Sequence, residues 1–222
     1  MWITWGGKES MLQIRWHGHA CWEITNDKTV VTDPHDGKSI GIPAPSVNGD
    51  IILVSHDHYD HNSVKSVEKD SSKVITDPRK RTIDDIEIRG IESFHDEAGG
   101  AKRGGNIIYK FKIDEIKFCH LGDLGHEIDS DTVNKIGEVD VLFIPIGGTF
   151  TVDDKQAWKV IKSINPKIVI PMHYKIGGLS LPIAGIDAFL EQNPYKLLHV
   201  GNEIDIDKEE LPQEPEVWTF TL

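Results

Sequence analysis

One short segment constrains this chain more than any other, the run Ser55-His56-Asp57-His58-Tyr59-Asp60-His61. It directly follows Ile51–Val54, an apolar run typical of a buried strand. Three histidines and two aspartates fall within six residues, a costly cluster unless a cation holds it. The segment therefore predicts a strand end that opens into a metal-binding loop, and a polar surface loop is the alternative.

The spacing within this segment is suited to two metal ions. His56 and His58 alternate by two, so in an extended backbone their side chains project from the same side. Asp60 and His61 lie where the chain turns into a predicted short helix, Ser63–Glu68. One loop can therefore supply two histidines to one ion and an aspartate with a histidine to another.

Three further candidate ligands lie downstream, and each comes soon after an apolar run: His95, Asp123 and His173. Loops at several strand ends can converge on one concave site. Zinc accepts nitrogen and oxygen ligands, and two such ions about 3.5–4 Å apart can hold a bridging hydroxide. Because a carboxylate has two oxygens, Asp123 is the natural bridge between two ions.

Short apolar, β-rich runs recur along the chain, and strands alternate with helices in its second half. Strands are predicted at Ile14–Trp16, Cys21–Ile24, Thr29–Thr32, Ile51–Val54, Ile86–Ile91, Ile107–Ile113, Ile116–Cys119, Val141–Ile144 and Ile168–Ile170. Besides Ser63–Glu68, helices are predicted at Asp131–Ile136, Asp153–Ile164 and Ile186–Glu191. This mixture predicts sheets covered by helices.

Composition narrows the possible partners. The net charge of −12 disfavours long nucleic acid. No apolar stretch reaches the roughly 18 residues of a membrane helix, so no membrane partner is expected. Cys21 and Cys119 do not make a disulfide framework, which favours a reduced, cytoplasmic protein. Met11 precedes the first strand pattern directly and is an alternative start to Met1.

The motifs resemble those of the metallo-β-lactamase superfamily, in particular small prokaryotic metal-dependent hydrolases related to L-ascorbate phosphate lactonase. Asp33-Pro34 resembles the first family motif, the segment from His56 to His61 the second, and His95, Asp123 and His173 the remaining three. Further similarity lies at Gly18-His19-Ala20, Gly104-Gly105-Asn106 and Ile146-Gly147-Gly148-Thr149-Phe150-Thr151. The resemblance implies a single domain over residues 1–222, an α/β (α+β) fold built as a four-layer αββα sandwich with metals at one edge.

The resemblance also implies how the ligands are divided. One ion would be held by His56, His58 and His95, and the other by Asp60, His61 and His173. Asp123 would bridge the two ions, and Asp60 and Asp123 are the candidate catalytic residues. The cofactors expected are two divalent ions, zinc first, with manganese or iron accepting the same ligands.

The predicted function is a dinuclear metal-dependent hydrolase. A metal-bound hydroxide would attack a lactone or ester bond of a small anionic molecule, which is the expected partner. A metal-dependent phosphodiesterase or nuclease is the alternative, since the same motifs serve both. A non-hydrolytic di-iron redox protein is a further alternative, although the chain carries no flavin-binding signature. A homo-oligomer is compatible with the sequence.

Several polar residues near these motifs have two interpretations each. His19 lies at the edge of the site or is a packed histidine, and Asp33 orients a ligand histidine or makes a turn. His120 is expected to support the ligands or the fold rather than to bind metal, whereas His126 meets substrate or solvent. Three basic residues follow ligand loops and could bind an anionic group or be merely exposed: Lys102, Arg103 and Lys175.

Overall fold

The computed structural model describes residues 11–222. The question of Met1 or Met11 as the start involves residues 1–10, which lie outside the described part. The described elements, in chain order, are β1 (Leu12–Trp16), β2 (Trp22–Thr25), β3 (Thr29–Thr32), β4 (Ile51–Leu53), a 3-10 turn (Val64–Ser66), β5 (Lys73–Ile75), β6 (Arg81–Ile83), β7 (Ile86–Phe94), β8 (Gly105–Ile113), β9 (Ile116–His120), α1 (Ser130–Ile136), β10 (Val141–Pro145), α2 (Asp154–Ile164), β11 (Ile168–Met172), α3 (Asp187–Glu191), β12 (Lys196–His199), β13 (Glu203–Ile206) and β14 (Glu216–Thr219).

The strands form two sheets. The first has the order β13-β1-β2-β3-β4-β5, and the second the order β12-β14-β11-β10-β9-β8-β7-β6. The predicted opening meander is confirmed, because β1, β2 and β3 pair antiparallel with Trp16 opposite Trp22 and Ile24 opposite Val30. The predicted strand positions are confirmed within a few residues, and the predicted α/β fold with two sheets is confirmed as well.

The main core lies between the two sheets. Trp16 stacks on Trp22 with ring centroids 5.6 Å apart, and Trp22 contacts Phe143 of the second sheet at 4.8 Å. Side chains alternate along the first sheet, so Leu53 enters this core while its neighbour Ile52 packs on the opposite face. Burial of each such side chain contributes about 1.5–3 kcal/mol.

Helix α2 follows its predicted pattern. Asp153 caps its start in a reciprocal capping box with Gln156, and Asn165 ends it in the left-handed conformation at φ +54°. The residues predicted to share one face are buried: Ala157, Val160, Ile161 and Ile164. No described helix is long and apolar enough to cross a membrane.

The helix predicted at Ser63–Glu68 is wrong, since only the 3-10 turn Val64–Ser66 forms there. Ser63 makes no side-chain cap to this turn, and the Ser66 hydroxyl instead donates to the backbone oxygens of Ser63 and His35. So short a segment gains few helical hydrogen bonds against the cost of nucleation. Val64 and Val67 nevertheless cover the outer face of the first sheet.

The sheets bring several strand ends to one edge. In the first sheet, β3 and β4 run parallel. In the second, β9, β10 and β11 are parallel, and β7 has the same direction because both β7 and β9 pair antiparallel with β8. The loops that leave the carboxyl ends of these strands carry the candidate ligands.

Candidate metal centre

The structure brings together all seven ligand positions predicted from the sequence. They follow four strands: β4 precedes His56, His58, Asp60 and His61, β7 precedes His95, β9 precedes Asp123, and β11 precedes His173. An eighth ligand-type side chain, His19, reaches the same place from the loop after β1.

The first cluster consists of His56, His58 and His95, whose candidate ligand atoms all lie within 4.8 Å of one another. The side chains of His56 and His95 are only 4% and 1% exposed, whereas His58 is half-buried. The His58 ring lies 4.6 Å from that of His56 and 5.0 Å from that of His95, measured between centroids. This cluster therefore faces the accessible side of the centre through His58.

The second cluster consists of His19, Asp60, His61 and His173, and its ligand atoms are again within 4.8 Å of one another. All four residues are buried. The Oδ2 of Asp60 lies 3.6 Å from the Nε2 of His61. This cluster contains the three residues that the resemblance assigned to a second ion, with His19 in addition.

Asp123 lies between the two clusters. Its Oδ2 is 3.2 Å from the Nε2 of His95 in the first cluster, and 3.1 Å and 3.3 Å from those of His173 and His61 in the second. The Nε2 of His56 is 3.8 Å away. One carboxylate therefore faces ring nitrogens of both clusters, as a bridging ligand must.

The donor atoms fit divalent ions. With zinc–nitrogen and zinc–oxygen bonds near 2.0–2.2 Å, two ligands of one ion lie about 3–3.5 Å apart, close to the separations above. Six buried side-chain atoms of the centre have no hydrogen-bond partner within the described chain: the Nδ1 of His19, the Nε2 of His56, the Nδ1 of His95, the Oδ1 of Asp123 and both ring nitrogens of His173. Because buried polar atoms are nearly always paired, these orphans indicate a site for cations.

Asp33 orients one histidine of each cluster through hydrogen bonds. Its carboxylate accepts from the Ser55 backbone N–H and hydroxyl at 2.7 Å each, and the Nδ1 of His61 lies 3.1 Å away. Ser55 Oγ is also 2.9 Å from the Nδ1 of His56. An ionised carboxylate only accepts, so Ser55 and His61 donate to Asp33, and His56 Nδ1 donates to Ser55. Both Nε2 atoms are thereby left with a lone pair for metal.

A second support holds Asp123. Its backbone N–H donates to the Oδ1 of Asn106 at 2.9 Å, while the Asn106 amide donates to Ser93 Oγ and Leu121 O. His120, fully buried, accepts from the Gly122 N–H and contacts Ala20 O, so it is structural as expected. The sequence patterns did not indicate that Ser55 and Asn106 support the ligands. A polar Asn106 at the start of the apolar strand β8 was the available signal.

The electrostatics favour ionised carboxylates among imidazoles of which His19 and His56 are neutral and His61 is protonated in the absence of metal. Burial opposes the charge on Asp123, but His173 and His61 outweigh it and hold the pKa of this carboxyl well below its usual range. Burial lowers the pKa of His19 and of His56 to about 3. Burial also opposes protonation of His61, yet Asp123 and Asp33 raise its pKa well above the usual value. In the metal-free protein, an imidazolium thus stands among the carboxylates where a cation would bind.

The remaining candidates differ in what they contact. His126 is partly exposed, and its Nε2 accepts from Phe94 N–H while its Nδ1 donates to Glu127 O. Lys175 donates to two loop carbonyls, those of Leu179 and Leu181.

The loop after His95 presents a basic side chain. The Asp96 carboxylate accepts four backbone N–H groups of this loop, from Ala98, Gly100, Lys102 and Arg103. The Lys102 ammonium pairs with Glu97, whereas the exposed Arg103 guanidinium lies 4.5 Å over the Phe150 ring. Within the described chain Arg103 has no carboxylate partner, so it is available to an anion.

Comparisons with known proteins agree with this architecture. Residues 13–173 match the model of the beta-lactamase superfamily domain. A UPF0173 metal-dependent hydrolase of Thermoplasma acidophilum is 32% identical, covering 73% of this chain and 83% of the relative. A crystal structure of a candidate Zn-dependent hydrolase of the metallo-beta-lactamase superfamily from Thermotoga maritima is 38% identical, with a TM-score of 0.78 over 94% of this chain and 98% of that one. The metallo-beta-lactamase fold protein YhfI of Bacillus subtilis, 11% identical, has a TM-score of 0.61 over 95% and 96% of the two chains and is similar in fold alone.

Proposed function

This chain belongs to the beta-lactamase superfamily and is a metal-dependent hydrolase, and on that premise we propose that it works with two divalent ions on a small anionic lactone or ester. The observation that carries the proposal is Asp123, whose carboxylate faces ring nitrogens of both clusters at 3.1–3.3 Å. A single carboxylate in that place would be shared by two ions.

Each cluster has a defined role in this proposal. His56, His58 and His95 would hold one ion, Asp60, His61 and His173 would hold the other, and Asp123 would be shared by both. When bound, the ions supply a water that is deprotonated near neutral pH and polarise the bond to be cleaved. Zinc suits this ligand set, and manganese or iron would accept it too.

The chain's own residues keep the clusters ready for the ions. Asp33 fixes the ring of His61 directly and that of His56 through Ser55, so both present Nε2 to the centre. Asn106 fixes the backbone of Asp123. Positioned ligands need no reorganisation on metal binding, which favours both affinity and rate.

The support for an anionic substrate is Arg103. Its backbone is fixed by Asp96, the residue next to His95, and its guanidinium rests on Phe150. Guanidinium groups bind carboxylates and phosphates with two parallel hydrogen bonds. Cys21 and Cys119 are both buried free thiols, which supports a reducing, cytoplasmic setting for the reaction.

The test is a hydrolysis panel on metal-free protein reloaded with zinc or manganese. The panel contains lactones, carboxylic esters, cyclic nucleotides and phosphodiesters. We expect turnover of an anionic lactone or ester that vanishes in His58→Ala and Asp123→Ala while their circular dichroism stays that of the wild type. His199→Ala is the matched control, because this histidine contacts Thr219 on the edge strand pair β12–β14 and belongs to neither cluster.

Two outcomes would contradict the proposal. Unchanged turnover in either ligand variant would remove the metal centre from the reaction. Turnover confined to the phosphodiesters would replace the proposed substrate class with the phosphodiesterase alternative.

A further inference from the structure

His19 occupies a demanding position that the seven-ligand set leaves unexplained. It follows β1 directly after Gly18, its side chain is fully buried, and its backbone is left-handed at φ +55°. A non-glycine residue adopts that conformation uncommonly, and it persists where surrounding contacts impose it. Here its carbonyl accepts from the Trp16 indole and from the backbone N–H of His173, at 3.2 Å each.

These contacts aim the ring into the second cluster. The Nε2 of His19 lies 3.1 Å from the Oδ2 of Asp60 and 3.2 Å from the Nε2 of His61. Its ring centroid is 4.1 Å from that of His173. The nitrogen therefore has the same separations from ligand atoms that those atoms have from one another.

Separations of this size are those of atoms that share one ion. Ligands bound at about 2.0–2.2 Å stand about 3–3.5 Å apart. The buried Nδ1 of His19 has no partner within the described chain, a feature that His19 shares with the predicted ligands His95 and His173. A proton on Nε2 would point at two atoms that must offer their lone pairs to a cation.

We propose that His19 is itself a ligand of the second ion, an inference that rests on the proposed two-ion function. The second ion then has five protein ligands: His19, Asp60, His61, His173 and Asp123. The first ion has four, of which His58 is the most exposed. The second ion would then be the more saturated of the two, and the first, with fewer protein ligands and the half-buried His58, would be the one that substrate reaches more readily.

The experiment loads cobalt(II) into metal-free wild-type protein, His19→Ala and His17→Ala. Bound cobalt per chain, the affinity for the second equivalent by chelator competition, and the visible spectrum are measured. We expect two equivalents in the wild type, and in His19→Ala a second equivalent weakened at least about 100-fold with an altered spectrum. His17→Ala is the matched control, because this neighbouring histidine contacts Glu23 at 2.8 Å instead of the cluster.

Two further measurements test the ligand role of His19 even if His19→Ala does not fold. His19→Asn retains a residue that tolerates positive φ but has a side chain too short to place an atom at Nε2, so it replaces His19→Ala if that variant fails to fold. A crystal structure of the zinc-loaded wild type needs no variant. It should show the Nε2 of His19 about 2.0–2.1 Å from the second ion, the usual zinc–nitrogen bond.

Different results would contradict the ligand role of His19 and the proposed two-ion function. A wild-type affinity and spectrum for the second cobalt in folded His19 variants, or an Nε2–zinc distance above about 3 Å, would overturn the ligand role of His19 and leave the two-ion centre intact. A wild type that takes up no second ion would overturn the proposed function itself.

Discussion

Alanine at position 122 should destabilise the protein, because an unfavourable backbone conformation and a steric overlap coincide there. Gly122 has φ +57°, and a Cβ built on it would lie 2.3 Å from the Oδ1 of Asn106 and 2.6 Å from the Cβ of Ser55. Real Cβ atoms do not approach so closely, so the backbone or both neighbours must move. Asn106 holds the N–H of Asp123, and the movement therefore reaches the bridging carboxylate.

The magnitude follows from separating the two costs. Left-handed backbone costs an alanine about 1–2 kcal/mol, and overpacking of a close-packed site costs about 1–3 kcal/mol more. Gly122→Ala should therefore lose about 2–5 kcal/mol of unfolding free energy. Gly99 is the matched control, since its φ is +68° and a Cβ there meets nothing within 4 Å, which leaves only the first cost.

The assay is urea unfolding of the metal-free wild type and both alanine variants, followed by chelator competition for zinc. We expect Gly122→Ala to be the less stable variant and to bind zinc more weakly, while Gly99→Ala keeps the wild-type affinity. Equal losses of stability in the two variants, or wild-type zinc affinity in Gly122→Ala, would refute the argument that this glycine secures Asp123.

Two further changes test the support of the centre and its titration. Asp33→Asn should weaken zinc binding about 10–100-fold, because its amide cannot accept from both Ser55 and His61. Asp36→Asn in the same loop is the control and should keep the wild-type affinity. Equal zinc affinities of the two variants in a competition assay would refute this role of Asp33. Burial lowers the pKa of His35 to about 4, below its unfolded value near 6.5. The neutral side chain therefore adds about 3 kcal/mol to the unfolding free energy above pH 6.5, relative to acid pH. This stability is lost as the pH falls to 4. His35→Gln should reduce the slope of unfolding free energy against pH in that window by up to about 1.4 kcal/mol per unit, and an unchanged slope would contradict the assignment.

The sequence allowed the seven candidate ligands to be named because they follow apolar runs and carry metal-binding chemistry. Such a prediction needs only residues that are close in sequence, because the segment from His56 to His61 comes soon after β4 and His173 comes directly after β11. The same logic predicted α2, whose capping residue Asp153 and apolar face both lie within its own sequence.

What the sequence left open depends on contacts between distant segments. His19 joins the second cluster only because the loop after β1 folds against His173, and its own neighbours in sequence do not indicate this. Ser55 and Asn106 act through hydrogen bonds to Asp33 and Asp123, which come from other strands. The strands absent from the sequence prediction, β5, β6, β12, β13 and β14, are only three or four residues long and too short for a clear periodic signal.

The most direct test of the two-ion centre is elemental analysis of metal per chain, on protein purified without added metal or chelator and again after reloading. The arrangement of both clusters around Asp123 predicts about two equivalents of zinc, manganese or iron in the wild type. It predicts a clear loss in Asp123→Asn, which keeps the size of the side chain but not its charge. A content near zero that added metal fails to restore would contradict the account.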